Sequence, residues 1–564
     1  MRLAIPFLLL CVFACASPVE AQDDVVMKAM RDELDRSMKQ LRLENLEKPY
    51  FMSFRVVDSD NANVSASFGA LNSSSQGRSR RFTVEVRVGD YKLDNTNFFS
   101  MNFNMSGMVQ VFNGTTQLPL DDDYKELRRQ IWLATDATYK KAVEDLSKKR
   151  AALENKVDTD ETPDFTKENP AVTTVDVPAA HADRGQWEAM ARSLSGLFRQ
   201  MPDVYTSTIS FSAANFYVRY LNSDGTSYTA RHPRVTFNAH AATQAADGTA
   251  LEDFVWLYAT SMAGLPSADE LASRVGALGQ RLKDLRAASV IENYNGPVLA
   301  EGDAAAQLFR LVFVPDLLGS RRVLMDSAFG SQQSTQADNP FIDKIGARVL
   351  PEFLSVTDNP TLAEYNKIPL AGWCKVDEDG IPARETLLVE KGILKTLLVT
   401  RDPVRGIEHS TGSRHEGQAT PSNIFVTAEN GLSTAELHAK FLALVKQRNK
   451  EFGIVVRRMR NSTAPLLTYR FFPDGREELI HGVQFSGLNT AAFKDIVAAS
   501  KDQNILTVEF QPRRTPGAFS FGDEGYTAVT LAVPSLLFED VTVHKARGQT
   551  PKPPVALHPY FDGK

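Results

Sequence analysis

The sequence contains 564 residues with 63 basic and 69 acidic side chains, which gives a formal net charge of −6. Both signs of charge are spread along the chain, so no basic patch argues for a nucleic-acid-binding protein. The fractions of hydrophobic and charged residues, 43% and 23%, are typical of globular proteins, and the length predicts two to four domains.

The first residues, 1–21, are predicted to form a secretory signal peptide. An apolar run follows Arg2, and Val19-Glu20-Ala21 then offers small or aliphatic residues to a signal peptidase. The run is shorter than the ~20 apolar residues that a membrane span needs. We therefore expect export to the periplasm or beyond, with cleavage near Ala21 and no membrane span in the mature chain. A lipid anchor at Cys15 is the alternative.

Cysteine content restricts the covalent and metal chemistry of the mature chain. Cys11 and Cys15 fall in the predicted signal peptide, which leaves Cys374 as the single cysteine. One cysteine cannot form an internal disulfide and cannot supply a multi-cysteine zinc site. The stretch Trp373-Cys374-Lys375-Val376 predicts a strand, in which a buried and unreactive cysteine is the usual occupant.

Residues 22–290 are predicted to form an N-terminal domain that mixes helices and strands. Apolar residues at three- and four-residue spacing predict helices over Met27–Leu41 and about Tyr124–Glu154. A serine followed three residues later by glutamate predicts that a third helix begins after Ser267. Regular alternation of apolar and charged residues predicts strands such as Thr83–Val88.

A change of composition separates the second of these helices from the strands that follow it. Residues 155–185 contain Pro163, Pro170 and Pro178 together with many acids and threonines, and they carry no sustained apolar period. A stretch of this composition predicts an exposed loop or linker within the N-terminal domain.

Residues 291–564 are predicted to form a second, mainly antiparallel β domain with a few helices. The apolar stretch Ala304–Val314 predicts a short buried helix, and another capping pattern predicts a helix after Ser433. Asp379-Gly380 and Lys391-Gly392 predict tight turns between strands. The chain is therefore predicted to be α+β, with two major domains that meet near residue 290.

Common catalytic signatures are absent from the sequence. It contains no phosphate-binding P-loop and no Gly-x-Ser-x-Gly elbow. None of the nine histidines pairs with another at one helical turn, the spacing that a helical zinc site needs. The closest pair, His409 and His415, is six residues apart with Gly412 between them. This spacing favours solvated loop histidines over metal ligands.

An acidic run, Asp377-Glu378-Asp379, allows two interpretations. It is either turn chemistry with solvated charge or a cluster of carboxylate ligands for a metal ion. Adjacent residues of a strand point to opposite faces, so the three carboxylates would converge only in a special loop. We therefore predict a turn.

The block that contains this run resembles a known family. From Gly346 to Gly406 the sequence carries the acidic turn before Gly380, a Pro-Ala-Arg stretch ending at Arg384, and a Val-Glu-x-Gly-x-Leu hairpin at Val389–Leu394. This order of motifs, with looser agreement in the N-terminal half, resembles the TldD/PmbA metallopeptidase family. The resemblance covers most of the mature chain.

The resemblance implies one of two subunit types. Active subunits of the family carry a His-Glu-x-x-x-His zinc motif on a helix just after a Gly-Pro strand. They pair with homologous subunits that lack the motif, and the complex degrades unfolded or small peptides. An ungapped count from Gly296-Pro297 places the motif at Arg310 to Pro315, where neither histidine is present and Leu311 replaces the glutamate. The sequence is therefore similar to the non-catalytic type, and its predicted export is a further departure from familiar members.

Three functions stay open at this point. The leading one is an exported, non-catalytic scaffold subunit that binds no zinc and pairs with an active homologue or itself around a peptide substrate. The alternatives are a metallopeptidase with a rearranged zinc site and a free-standing peptide- or envelope-binding protein. Candidate binding residues are Asp377, Glu378, Asp379, Arg384, His409, Arg414 and His415.

Overall fold

The computed structural model describes residues 24–99, 114–154, 161–321, 323–325, 339–510, 527–547, 551–556 and 558–561. The predicted signal peptide, with its cleavage site and Cys15, lies outside these residues. The described α-helices are α1 (Val25–Gln40), α2 (Tyr124–Glu154), α3 (Arg184–Gly196), α4 (Ala268–Ala287), α5 (Asp303–Leu308) and α6 (Thr434–Gln447). No helix within these ranges combines the length and the apolar character needed to cross a bilayer.

The first sheet is built from the N-terminal part of the chain. Its order is β4-β2-β1-β6-β7-β5, with β8 also paired to β7, and only the β5–β7 pair is parallel. The strands of this part are β1 (Pro49–Ser67), β2 (Ala70–Val88), β3 (Phe98–Phe99), β4 (Thr115–Gln117), β5 (Val172–Val175), β6 (Thr206–Asn222), β7 (Ser227–Gln244) and β8 (Ala250–Ala259).

The second sheet is built from the C-terminal part. Its strands and those of the short ribbons beside it are β9 (Asn293–Ala300), β10 (Leu324–Met325), β11 (Leu354–Asp358), β12 (Glu364–Tyr365), β13 (Ile368–Pro369), β14 (Thr386–Glu390), β15 (Ile393–Leu394), β16 (Arg414–His415), β17 (Gln418–Ala419), β18 (Asn423–Ala428), β19 (Gly453–Met459), β20 (Pro465–Phe471), β21 (Glu477–Ile480), β22 (Val483–Ser486), β23 (Ile496–Phe510) and β24 (Thr527–Lys545). The order is β15-β14-β11-β18-β24-β9-β19-β20-β21, with β22 and β23 also paired to β24. The predicted α+β class is confirmed.

Strand β1 shows how the sequence separates the two faces of the first sheet. Successive side chains of a strand point to opposite faces. Met52, Phe54 and Val56 are buried in a cluster with α1 and α2. Farther along β1, Ala62, Val64 and Ala66 pack in a second cluster with α3 and α4. The odd-numbered Val57 instead belongs to a cluster that includes Val376 of the C-terminal part, so the helices cover one face and the loop around Val376 packs on the other.

The helix starts follow the predicted capping chemistry. The Ser267 side chain accepts a hydrogen bond from the backbone N–H of Glu270 at the start of α4. At the start of α6, Ser433 and Glu436 form the complete reciprocal capping box. Both arrangements satisfy backbone N–H groups that have no partner within the helix.

The segment predicted as an exposed loop, 155–185, differs from that prediction in its described part. Asp164 and Phe165 are each only 2% exposed, and β5 joins the first sheet. The prolines do interrupt any regular pattern, as the composition indicates. The burial comes from partners distant in sequence, including Lys149 and Arg401, and local composition carries no information about them.

The structure adds one helix that was not predicted and corrects one predicted strand. Helix α3 was missed because its short apolar face, which buries Trp187 and Leu194, follows directly after the proline-rich stretch. The stretch predicted as a strand around Cys374 is a loop in which Val376 makes a single bridge to Pro382. Cys374 itself is 7% exposed and unpaired, so the prediction of a buried free thiol is confirmed.

The predicted turn at Lys391-Gly392 links β14 to β15 and supports a mutational test. Gly392 has φ +77°, and a Cβ there would lie 2.3 Å from the carbonyl oxygen of Leu350. We expect Gly392→Ala to lower the free energy of unfolding by about 2–4 kcal/mol, since backbone strain and a steric clash add. Gly346→Ala is the control because Gly346 has φ +84° with no atom within 4 Å. Equal losses in urea denaturation would show that the clash contributes nothing.

Candidate functional site

The acidic run forms a buried turn where the C-terminal part meets the first sheet. Asp377 Oδ1 accepts hydrogen bonds from the backbone N–H groups of Asp379 and Ile381, each at 2.9 Å, and Gly380 has φ +74°. The predicted turn is therefore present. The expectation of solvated charge is wrong, because Asp377 and Asp379 are 1% and 4% exposed. Residues of the first sheet cover the turn. One of them is Arg55, whose Nη2 lies 3.0 Å from Oε1 of Glu378.

Burial changes the titration of these carboxyl groups. Desolvation, followed by the charge of Asp379, raises the pKa of Asp377 well above its usual range. Desolvation also raises the pKa of Asp379, although Arg414 Nη1 lies 2.9 Å from its Oδ1 and opposes the shift. Burial also acts to raise the pKa of Glu378. The charges of Arg55 and His415 act in the opposite direction and prevail, so the pKa of Glu378 is lowered. Burial thus disfavours the charged forms of Asp377 and Asp379, whereas the neighbouring Arg55 favours the charged form of Glu378.

A cluster of buried ion pairs joins the two parts of the chain beside this turn. Arg87 of β2 is 2% exposed, and its guanidinium contacts Glu85 at 2.6 Å, Asp94 at 2.9 Å and Asp402 at 2.7 Å. Asp94 is fully buried and also accepts a hydrogen bond from Tyr50 at 2.7 Å. Since Asp402 belongs to the C-terminal part, Arg87 holds the two parts together.

A second arginine clamps the segment that follows the undescribed residues 155–160. Arg401 is 1% exposed and donates to the carbonyl oxygen of Thr166 at 2.7 Å and to Asp224 at 2.8 Å. Its guanidinium lies 4.0 Å from the ring centroid of Phe165. The segment near Phe165 is therefore held between strand β1 and the loop that contains Arg401 rather than in solvent.

An open cleft of about 180 Å³ lies next to the acidic turn, between the first sheet and the C-terminal part. Strands β1, β6, β7 and β8 form one wall, and the loop 371–378, the β16 end and the start of β24 form the other. The aromatic residues lining it are Phe216, Tyr228, Tyr258 and Trp373, and the polar ones include Arg55, His232, Glu378, His415 and Ser422.

Five of the seven candidate binding residues come together here. Asp377, Glu378 and His415 line the cleft, and Asp379 and Arg414 pair just behind it. The structure places the other two elsewhere: Arg384 donates to the carbonyl oxygen of Ser410, and His409 is 69% exposed beside Glu168. His409 and His415 therefore do not converge. Among the described residues, no group of three or more His, Cys, Asp or Glu side chains is arranged to hold a metal ion.

The stretch to which the ungapped count from Gly296-Pro297 assigns the zinc motif is an irregular helical turn. Helix α5 continues into a π-helical turn, Phe309–Phe313, and a 3₁₀ turn, Val314–Leu317. Phe309 and Phe313 are fully buried with ring centroids 4.8 Å apart, and both pack on Phe493. Aromatic rings thus occupy the interior of this turn.

The side chains at this position do not fit zinc. Arg310, Leu311 and Pro315 present no donor that zinc accepts. The neighbouring oxygen donors are already engaged: Gln307 Oε1 accepts from the backbone N–H of Met459 at 2.6 Å, and Asp316 accepts from the Thr490 hydroxyl. Burial lowers the pKa of Arg310, but a guanidinium stays charged at neutral pH and would repel a cation.

The N-terminal contributors to the site were missed by sequence reasoning. Arg55, Arg87 and His232 lie on long strands, where a charged residue at every second position is typical of a solvated face. The available signal was the pair Glu85 and Arg87 on the charged face of a strand otherwise rich in valine. That pattern does not tell a solvated face from one covered by another domain.

Comparison with known families supports the resemblance. Residues 296–545 match the PmbA/TldA metallopeptidase C-terminal domain. The C-terminal part of the chain therefore carries the C-terminal domain of the TldD/PmbA family. A metalloprotease of Methanocaldococcus jannaschii is 30% identical over 168 residues, which are 28% of this chain and 36% of that protein. A metalloprotease of Methanothermobacter thermautotrophicus is 26% identical over 219 residues, 37% of this chain and 43% of that one. The chain thus spans less than half the length of these two metalloproteases.

Solved structures share the fold over nearly the full length. TldE from Thermococcus kodakarensis aligns with a TM-score of 0.55 and 13% identity, covering 91% of this chain and 99% of that one. A Thermotoga maritima protein described as a modulator of a DNA gyrase aligns with a TM-score of 0.56 and 15% identity over the same shares. At these identities the likeness establishes a common TldD/PmbA fold.

Proposed function

We propose that this chain is an exported, catalytically silent TldD/PmbA-family subunit that pairs with a zinc-bearing homologue, or with a second copy, and helps to hold a peptide substrate. The observation that supports the proposal is the turn Phe309–Phe313, whose packed aromatic rings occupy the stretch to which the count from Gly296-Pro297 assigns the zinc motif. Such a chain keeps the family architecture without the ligands for an activated water, and its remaining use is assembly and substrate binding.

The export part of the proposal is carried by residues 1–21, whose charged start, apolar core and small-residue exit are those of a secretory signal. The pairing part is supported by the shared fold with TldE. A stable pair would bury more than ~1,000 Å² of surface in total.

Zinc content and pairing can be measured on one preparation of the mature full chain. We expect elemental analysis after mild dialysis to find far less than one zinc per chain, because Arg310, Leu311 and Pro315 offer no ligand. We expect light scattering to find a dimer, either of the chain alone or after mixing with an exported homologue whose His-Glu-x-x-x-His motif is intact.

The opposite results have clear meanings. About one zinc per chain that is lost in a His409→Ala/His415→Ala variant would overturn the catalytically silent assignment and favour the rearranged metal site. A chain that stays monomeric and leaves the peptidase activity of every such homologue unchanged would overturn the pairing. The cleft beside the acidic turn would then favour the second candidate function, a free-standing peptide-binding protein.

A further inference from the structure

The cleft is distinct from the zinc-motif position. It lies against the start of β24 at Thr527 and Ala528, whereas α5 follows β9, whose last residue Ala300 pairs with Leu536 of β24. Eight residues of an extended strand separate Ala528 from Leu536, a distance of roughly 26 Å. A ligand in the cleft therefore contacts neither Arg310 nor the aromatic turn that contains it.

The charges that line the cleft balance one another. Arg55 is paired with Glu378 at 3.0 Å, and Arg234 and Glu416 add one charge of each sign to the lining. Asp377 is held by three backbone N–H groups, and its desolvation raises its pKa and disfavours a further negative charge. Apart from Asp377, the lining of the cleft therefore carries equal numbers of positive and negative side chains.

The remaining polar groups are neutral at pH 7. His232 is exposed and lines the cleft, and the protein around it lowers its pKa, first by desolvation and then through His415 and Arg55. Desolvation also lowers the pKa of His415. Ser422 is 1% exposed and lines the cleft, and its Oγ has no hydrogen-bond partner among the described residues. These groups offer hydrogen bonds without charge.

The walls and the size of the cleft match one aromatic side chain. Phe216, Tyr258 and Trp373 are half-buried, so part of each ring faces the opening. Its volume of about 180 Å³ exceeds the roughly 150 Å³ of a protein cavity that accepts benzene. Rings of this kind pair with an incoming ring in tilted or offset geometry.

We propose that this cleft is a binding pocket for a single uncharged aromatic side chain, such as tyrosine, presented by a peptide. The inference rests on the proposed function only in taking the ligand to be a peptide. Light scattering tests the proposed pairing, and ligand binding tests the proposed pocket. Each proposal can therefore be contradicted without affecting the other.

The test is a ligand-observed NMR titration of the full mature chain with three blocked amino acids. N-acetyl-tyrosinamide should bind saturably, and N-acetyl-lysinamide and the side-chain-charged N-acetyl-glutamic acid α-amide should bind at least about tenfold more weakly. Equal affinities for the three probes, or no saturable binding of the tyrosine probe, would overturn the proposal.

Two variants locate the binding. Ala371→Phe places a ring in the cleft and should abolish tyrosinamide binding, whereas Lys375→Phe, an exposed position on the same loop, should leave it unchanged. His232→Glu adds a negative charge at a position exposed to the cleft and should reverse the ranking in favour of the lysine probe. This reversal cannot result from misfolding, so it tests the pocket even if Ala371→Phe fails to fold. Binding that survives both changes would place the ligand elsewhere and contradict the inference.

Discussion

Replacing Arg87 with alanine should cost the folded chain about 3–5 kcal/mol of unfolding free energy. The guanidinium is 2% exposed and contacts Glu85, Asp94 and Asp402 within 2.9 Å. It also lies 3.6 Å from the ring centroid of Phe165. Its removal takes away the cation that pairs directly with the buried Asp94 carboxylate, and breaking a buried ion pair is far more costly than losing a surface pair.

The measurement is urea denaturation followed by circular dichroism, with Arg129→Ala as the matched control. Arg129 also pairs with a carboxylate, Glu126, but both side chains are exposed, at 51% and 38%, so solvent screens the pair and stability should stay close to that of the unchanged chain. Adding Asp94→Asn to Arg87→Ala should recover part of the loss because it removes the orphaned charge. A double variant as unstable as the sum of both single variants would contradict this electrostatic account.

Local sequence patterns were enough to predict elements whose causes are local. The bounds of α2 and the capping serines of α4 and α6 follow from spacing and side-chain chemistry within a few residues. The turn at Lys391-Gly392 follows from the need for positive φ at both positions, 45° and 77°. These features do not depend on which other part of the chain lies nearby.

The buried charges could not be predicted in the same way because their partners are distant in sequence. Arg87 and Asp402 are 315 residues apart, and Arg55 and Glu378 are 323 apart. The acidic turn was placed correctly, but its burial depends on Arg55 and Tyr228 of the first sheet. The cleft likewise needs strands of the first sheet and several segments of the C-terminal part to come together, and no single stretch of sequence contains it.

The second large effect concerns pH and a carboxyl group directly behind the cleft. Asp358, the last residue of β11, is 1% exposed, and its Oδ1 accepts from the backbone N–H of Ser422 at 3.0 Å. Desolvation raises the pKa of Asp358 to about 7, although the backbone hydrogen bonds from Ser422 and Asn423 oppose the shift. In an unfolded chain an aspartate titrates near pH ~3.9.

The sign of the pH effect follows from proton uptake. Between about pH 4 and pH 7 the folded chain holds a proton on Asp358 that the unfolded chain has lost, so stability falls as pH rises through this window. Three pH units at about 1.4 kcal/mol each give a loss of order 4 kcal/mol. Asp358→Asn has no such proton, so its stability relative to the unchanged chain should rise by this amount from pH 4 to pH 8.

The control is Asp343→Asn. The Asp343 side chain is 80% exposed, so this variant should show no such trend. A difference between Asp358→Asn and the unchanged chain that does not vary with pH would mean that Asp358 stays ionised. The backbone donors of Ser422 and Asn423 would then outweigh its desolvation.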